Sequence, residues 1–547
     1  MRNPLIYLSL LILIFSTLSC NGKKETPPNI VWLVAEDQSS YFFPFYGDSS
    51  VELPNISQLL DNGTVYDNMN SPYPVCAPAR SGIITGMYPN SIGTGNMRAL
   101  KGNATKRNEL EAPLGIPYYS SKLAEKITPF TQILIQNGYY CTNNAKEDYN
   151  FNLRDDAWNE SSRSASWEKR EDGQPFFSVF NFGITHESQV WRQSDKPLLI
   201  PSALDVPIPP YLQDTDISRG NIRQVYSNVV AMDRQVGEIL TQLEEDGLLD
   251  STVIFWYTDH GGPLPRQKRL LYDSGIHVPL IIRFPDGVRA GDIDEQLVSF
   301  VDFKSTALSL AGIEPPQYVD GRAFLGDYVN TPNRRYIHAA ADRFDSEYDM
   351  IRAVRDARFK YLRNFNPEKP YYLPLDYREQ MPIMQELLKL RDNEQLNEAQ
   401  AQWFRASKDE EELFDTLYDP HELVNLAKDP IHAEKLFEIR KELDEWVRLV
   451  DDKGLMSEGD LIVSMWPGGI QPITSTPVAT KRRNDLEITL RSGTEGASIG
   501  YQILEEGESV NEAWTIYKEP VTINNTQRLA AVAHRLGFAP SEIITIR

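Results

Sequence analysis

Twice in this chain an unbroken run of β-prone apolar residues breaks off at acids. Ile30-Val31-Trp32-Leu33-Val34-Ala35 leads straight into Glu36-Asp37, and Val253-Ile254-Phe255-Trp256-Tyr257 leads through Thr258 into Asp259-His260-Gly261-Gly262. A strand with no polar face must be covered on both sides, as in a mostly parallel sheet held between layers of helices. Ligands of such sheets gather at the carboxyl ends of the strands. The two acidic ends therefore read as halves of one site for a hard cation, whereas either alone would pass for a solvated turn. At 547 residues and 41% hydrophobic content, the chain has material for a large core and more than one domain.

Further strands follow the same rule. Gly138-Tyr139-Tyr140-Cys141-Thr142 precedes a loop with Lys146 and Asp148, and Pro175 to Phe182 precedes Thr185-His186-Glu187. With seven histidines in the whole chain, one directly after a strand is informative. It is a proton donor or acceptor near neutral pH, or else a satisfied core histidine. Two helices are expected, one over Thr128–Asn137 with Thr128 capping and Pro129 in first position, the other over Val236–Leu249 with Val236, Ile239, Leu240 and Leu243 on one face. Lys268 lies in the run Pro265-Arg266-Gln267-Lys268-Arg269, ahead of the strand Leu280–Arg283.

The stretch from Cys76 to Gly86, Cys-Ala-Pro-Ala-Arg-Ser-Gly-Ile-Ile-Thr-Gly, reads as a loop feeding a short helix, with Pro78 suited to the first turn and Gly86 to the stop. Free N–H groups and the positive end of the helix dipole would then face whatever lies beside Cys76, with the Arg80 guanidinium adding donors for an oxyanion. The other reading is a small buried structural cysteine. A thiolate phosphatase would want its arginine farther along a phosphate-cradling loop.

The pattern C-x-P-x-R-x-x-x-x-T-G resembles the signature of type I sulfatases, within the alkaline phosphatase superfamily, and the resemblance covers roughly Pro28 to Asp452. It implies an α/β domain with a mixed, mostly parallel central sheet sandwiched by helices (28–335), then a smaller antiparallel sheet with a packed helix (336–460). It implies that Cys76 is oxidised to formylglycine by a maturation enzyme, and that Glu36, Asp37, Asp259, His260 and residue 76 hold Ca2+, with Mg2+ second. Arg80, Lys146 and Lys268 would bind sulfate, and His186 or Lys268 would protonate the leaving oxygen. Two positions depart from the family pattern: Asp148 stands where a histidine usually helps deprotonate the diol, and His277 where arginine is common. Asp148 or another group would take that histidine's place, His277 is expected to be structural or in the outer pocket, and Arg266 and Arg269 are expected to be surface charge unless either reaches a second anionic group. The implied reaction is hydrolysis of sulfate esters on a sulfated polysaccharide such as ulvan, or on a glycosaminoglycan. Two rivals are a zinc-dependent phosphoesterase or phosphonate hydrolase of the same superfamily and a non-catalytic lipoprotein that binds sulfated glycans.

At the N-terminus, Met1-Arg2-Asn3 and the apolar run Leu5–Phe15 lead to Leu18-Ser19-Cys20. The segment reads as a signal peptide (1–19), too short to span a membrane comfortably. It resembles bacterial lipoprotein signals, which implies lipid on Cys20 and an exported protein anchored to a membrane. Of three cysteines, Cys141 is left for packing, and no disulfide is expected. A net charge of −22 argues against nucleic acid as partner, so an anionic substrate must meet a local cluster of Lys, Arg and His. Short β-prone segments after 470 suggest a small β-sandwich module (470–547).

Overall fold

The computed structural model describes residues 27–97, 118–153, 156–285, 287–329, 331–481, 486–511 and 514–547. The leader and Cys20 lie outside these residues.

Eight strands form the central sheet: β1 (Asn29–Ala35), β2 (Gly63–Asn70), β3 (Tyr140–Asn144), β4 (Glu160–Ser161), β5 (Phe176–Phe182), β6 (Thr252–Thr258), β7 (Leu280–Arg283) and β8 (Ile293–Ser299). Their order is β4-β3-β5-β1-β6-β7-β2-β8. Only β7 runs against its neighbours, so the sheet is mixed but mostly parallel. β1 lies between β5 and β6, with Ala35 opposite Phe182 on one side and Thr258 on the other. That register sets the ends of three strands side by side.

Every residue of β1 is buried, because its two faces meet two separate cores. Val31, Leu33 and Ala35 face a cluster that includes Val225, Val229, Met232, Val236 and Leu240 of the helix Asp216–Glu245. Ile30, Trp32 and Val34 face another, where the Trp32 ring packs edge-on to Phe177 at 4.8 Å and against Phe130 and Phe303. Each such side chain withdraws about 1.5–3 kcal/mol worth of apolar surface from water.

Two helix boundaries differ from expectation. Asp216–Glu245 starts well before Val236, capped by the Thr215 hydroxyl, which accepts from the Ser218 N–H at 3.2 Å; polar residues in its first turns mask the apolar period. The other helix begins at Phe130 with Pro129 before it, and Thr128 does not cap it. The Thr128 side chain instead meets the Tyr318 hydroxyl at 3.2 Å, while its carbonyl accepts from Lys304.

A second, antiparallel sheet follows: β9 (Ile337–Phe344), β10 (Glu347–Arg355), β11 (Phe359–Asn364) and β12 (Glu411–Asp415), in the order β12-β11-β10-β9. The helix Ala433–Leu449 buries Leu436, Ile439, Leu443 and Trp446. Beyond it, a three-stranded and a four-stranded sheet pack around Ile488, Leu490, Ile499, Val521 and Leu529. Their strands include Val478–Lys481, Val521–Thr522 and Ile544–Ile546.

Candidate active site

The ends of β5, β1 and β6 build the floor of the site. Asp37 turns off β1 with a left-handed φ of 52°, and its N–H donates to Oδ1 of Asp259, at the end of β6, over 3.2 Å. From the β5 side, the Glu36 N–H donates to the Thr185 hydroxyl at 3.0 Å and the Glu187 N–H to Oδ2 of Asp37 at 2.7 Å. Glu36, Asp37, Asp259 and His260 are all buried.

Above this floor stands the helix Cys76–Thr85, which starts at Cys76 after the extended Val75 and stops at Gly86 in left-handed conformation. Its ten residues are all buried. Cys76 Sγ lies 3.2 Å from His260 Nε2, 3.7 Å from Lys268 Nζ and 3.8 Å from Asp37 Oδ1. One turn along, Arg80 donates through Nε to Asp259 at 3.0 Å and through Nη1 to Asn181 at 2.7 Å. Among the described residues its buried Nη2 has no partner. A desolvated donor of this kind is costly unless a ligand satisfies it.

Lysines and His186 close the ring. Lys146 pairs with Glu36 at 2.8 Å and Lys268 with Asp37 at 2.7 Å, while His186 Nε2 sits 3.9 Å from Asp37. The His186 side chain keeps 22% of its surface exposed, which marks the open side of the site. Burial pushes the Cys76 thiol up, but Lys146, Lys268 and His260 overcome it and bring the group down to about 7. Burial alone would lower His260; the charges of Asp259, Cys76 and Asp37 raise it to about 10. Asp259, which burial pushes up, is held down at about 2 by His260, Arg80 and Lys146.

The acids fit a divalent cation. Glu36, Asp37, Cys76 and His186 form one set of potential ligands, and Asp37, Cys76, Asp259 and His260 another, with the ligand atoms of each set within 4.8 Å of one another. Carboxylates supply three of the six potential ligands of the joint set, Glu36, Asp37 and Asp259, beside two histidines and Cys76, and their oxygens suit a hard ion. Two sequence candidates fall outside both sets. Asp148 is half-buried in its loop with φ 52°, and His277 faces the Asp67 carbonyl at 2.6 Å, in keeping with a structural role.

Residues 28–313 match the Sulfatase family, and residues 266–403 match the C-terminal region of N-sulphoglucosamine sulphohydrolase. The chain is 45% identical to an ulvan-active sulfatase of Formosa agariphila, over all of this chain and 98% of that one. The chain belongs to the sulfatase family. Human N-sulphoglucosamine sulphohydrolase is a more distant relative, 24% identical over 77% of this chain and 90% of its own length. Among solved structures, a 2-O GAG sulfatase superposes with TM-score 0.56 at 17% identity, covering 78% of this chain and 93% of that one. A phosphonate monoester hydrolase of Agrobacterium radiobacter does so with 0.53 at 16%, covering 77% and 96%. At such identities these two speak for the fold alone.

Two arginines of this sulfatase correct the sequence reading. Arg266 and Arg269 are buried, not surface charge. Arg266 stacks 4.0 Å from the Tyr272 ring centre and donates to the carbonyls of His421 and Glu422. Arg269 grips Glu187 with two bonds, at 3.0 and 2.8 Å. Glu187 and Asn181 are contributors that sequence reasoning passed over. The acid directly after His186, with a Lys-Arg pair downstream, was the available signal for the first; nothing local distinguished the second.

Proposed function

We propose that this sulfatase hydrolyses sulfate esters on a sulfated polysaccharide or its oligosaccharides, with ulvan the leading substrate, using formylglycine at position 76 and Ca2+. The carrying observation is the convergence on Cys76 of Asp37, His260 and Lys268, with the unpartnered Nη2 of Arg80 beside them. The full-length likeness to an ulvan-active sulfatase supports the substrate class.

Glu36, Asp37, Asp259, His260 and residue 76 would hold the ion. When bound, Ca2+ would lower the pKa of a hydroxyl on residue 76 and offset the charge of the sulfate oxygens. Matured to formylglycine, residue 76 presents a hydrated aldehyde whose second hydroxyl permits release of sulfate after transfer. Arg80 Nη2, Lys146 and Lys268 orient the sulfate and stabilise charge on its outer oxygens in the transition state. The free N–H groups at the start of the Cys76–Thr85 helix favour negative charge at the same place. His186, on the open side, would protonate the leaving sugar oxygen, with Lys268 the second candidate. Asp148 is retained as a candidate base for the second hydroxyl. Export and lipid attachment at Cys20 would place the enzyme at a membrane facing polymeric substrate.

A phosphonate monoester hydrolase shares the fold, so substrate must decide between the chemistries. The test is sulfate release from size-defined ulvan oligosaccharides, with Cys76→Ala as blank and peptide mass spectrometry of the residue 76 segment. Equal release by the blank, an unmodified thiol in active wild type, or faster cleavage of an aryl phosphonate would each overturn the proposal.

A further inference from the structure

Lys268 stands between two carboxylates. Its Nζ lies 2.7 Å from Oδ2 of Asp37 and 3.2 Å from Oε1 of Glu187, with residue 76 Sγ at 3.7 Å. Asp37 belongs to both sets of potential cation ligands, so an ion bound there competes for the oxygens that Lys268 shares. Glu187 belongs to neither set. It is the anion left to hold the ammonium group when Asp37 is engaged.

Glu187 is itself held on three sides. It is 1% exposed. Its N–H donates to Asp37 Oδ2 at 2.7 Å, and both carboxylate oxygens are bonded by Arg269, in the two-pronged geometry that fixes a carboxylate in orientation as well as charge. Arg269 is fixed in turn: its N–H donates to the Pro74 carbonyl at 2.9 Å, and its guanidinium lies 3.5 Å from Asp345 at the β9–β10 turn. The Glu187 carboxylate is thereby kept from swinging toward the anion site, where it would repel sulfate.

From this geometry we infer that Glu187, clamped by Arg269, is a positioning residue of the reaction: it aims the Lys268 ammonium at residue 76 and at the sulfate transferred there. The inference rests on the proposed sulfate-ester chemistry. It assigns Glu187 a role through Lys268 and no contact with substrate. Losing the carboxylate charge should therefore affect turnover more than binding, and should matter little once Lys268 is gone.

The experiment is a double-mutant cycle on the full-length, matured enzyme with bound Ca2+, timing sulfate release from ulvan oligosaccharides. Glu187→Gln, which keeps shape and loses charge, is expected to lower kcat by about tenfold or more with KM within about twofold. In a Lys268→Met background the same change should cost less than about twofold, because both act through one group. Glu187→Asp should recover kcat over Glu187→Gln at least about threefold, and it supplies the deciding comparison if Lys268→Met is too slow to time. Effects that multiply, a change confined to KM, or no recovery with aspartate would overturn the inference while leaving the sulfatase reading intact. Wild type that releases no sulfate would overturn both.

Discussion

The Asp37 N–H donates to the Asp259 carboxylate across 3.2 Å, although the two residues are 222 positions apart in the chain. That bond holds the Asp259 carboxylate and the Glu187 N–H, at 2.7 Å, holds that of Asp37, both from backbone that the β5–β1–β6 register brings together. Closely spaced acids repel one another; Lys146, Lys268 and Arg80 offset part of that repulsion, and a bound cation would offset more. Stripping the matured protein with a chelator should therefore abolish activity and lower its melting temperature, with Ca2+ restoring both. Calcium at about a thousand times its Kd should add about 4 kcal/mol. Asp37→Asn should lose most of that calcium-dependent gain. A melting temperature indifferent to chelator and to Ca2+ would refute the assignment of these acids to a cation.

Arg80 is expected to show its worth in turnover. Arg80→Lys keeps a charge near Asp259 but cannot supply the fork that reaches Asn181 and leaves Nη2 free. Activity should fall by about a hundredfold or more, the effect of losing one donor to a developing oxyanion. Circular dichroism and melting temperature would establish that the variant is folded; activity within threefold of wild type would count against the role.

Gly86 has φ 70°, and a Cβ placed there would lie 2.9 Å from Cδ of Lys304. The lysine chain can give way, but the left-handed backbone cannot suit alanine without strain. Gly86→Ala is predicted to destabilise by about 1–2 kcal/mol in urea unfolding. Unchanged stability would show that the stop of the Cys76 helix tolerates a side chain.

Lys304 is the clearest source of pH-dependent stability away from the acids. Burial pulls its pKa down from the ordinary lysine value to about 7, although its amine donates to the Thr128 carbonyl and the Tyr318 hydroxyl. The folded pKa is lower than the unfolded one, so between pH 7 and the ordinary lysine range the unfolded chain binds more protons. Stability should rise with pH across that window, by up to about 1.4 kcal/mol per unit from this group. Lys304→Met should remove that slope. Comparing urea midpoints of the two proteins at pH 7 and pH 9 tests it: parallel behaviour would mean that Lys304 is charged in the fold.

The strand ends and the Cys76 helix were legible because local rules govern them: an apolar run needs cover, proline suits a first turn, glycine suits a left-handed stop. The antiparallel four-stranded sheet and the helix buried through Leu436, Ile439, Leu443 and Trp446 were legible for the same reason. Arg266 and Arg269 were not. Charge beside charge in a polar run has the look of surface, and what buries them lies far off in sequence, in the His421 and Glu422 carbonyls and in Glu187. Thr128 had every local mark of a cap, yet Tyr318 offered its hydroxyl a partner.

The burial of all ten residues of the Cys76–Thr85 helix has a consequence in time as well as in space. Asp259 and Lys268, which close over Cys76, leave the ribosome long after it does. Any enzyme that oxidises this cysteine must reach it while the chain is still open, since the finished fold leaves no strand of backbone there to grasp. On the proposed formylglycine chemistry, a host without that enzyme at the moment of synthesis would accumulate protein that is well folded and permanently inert.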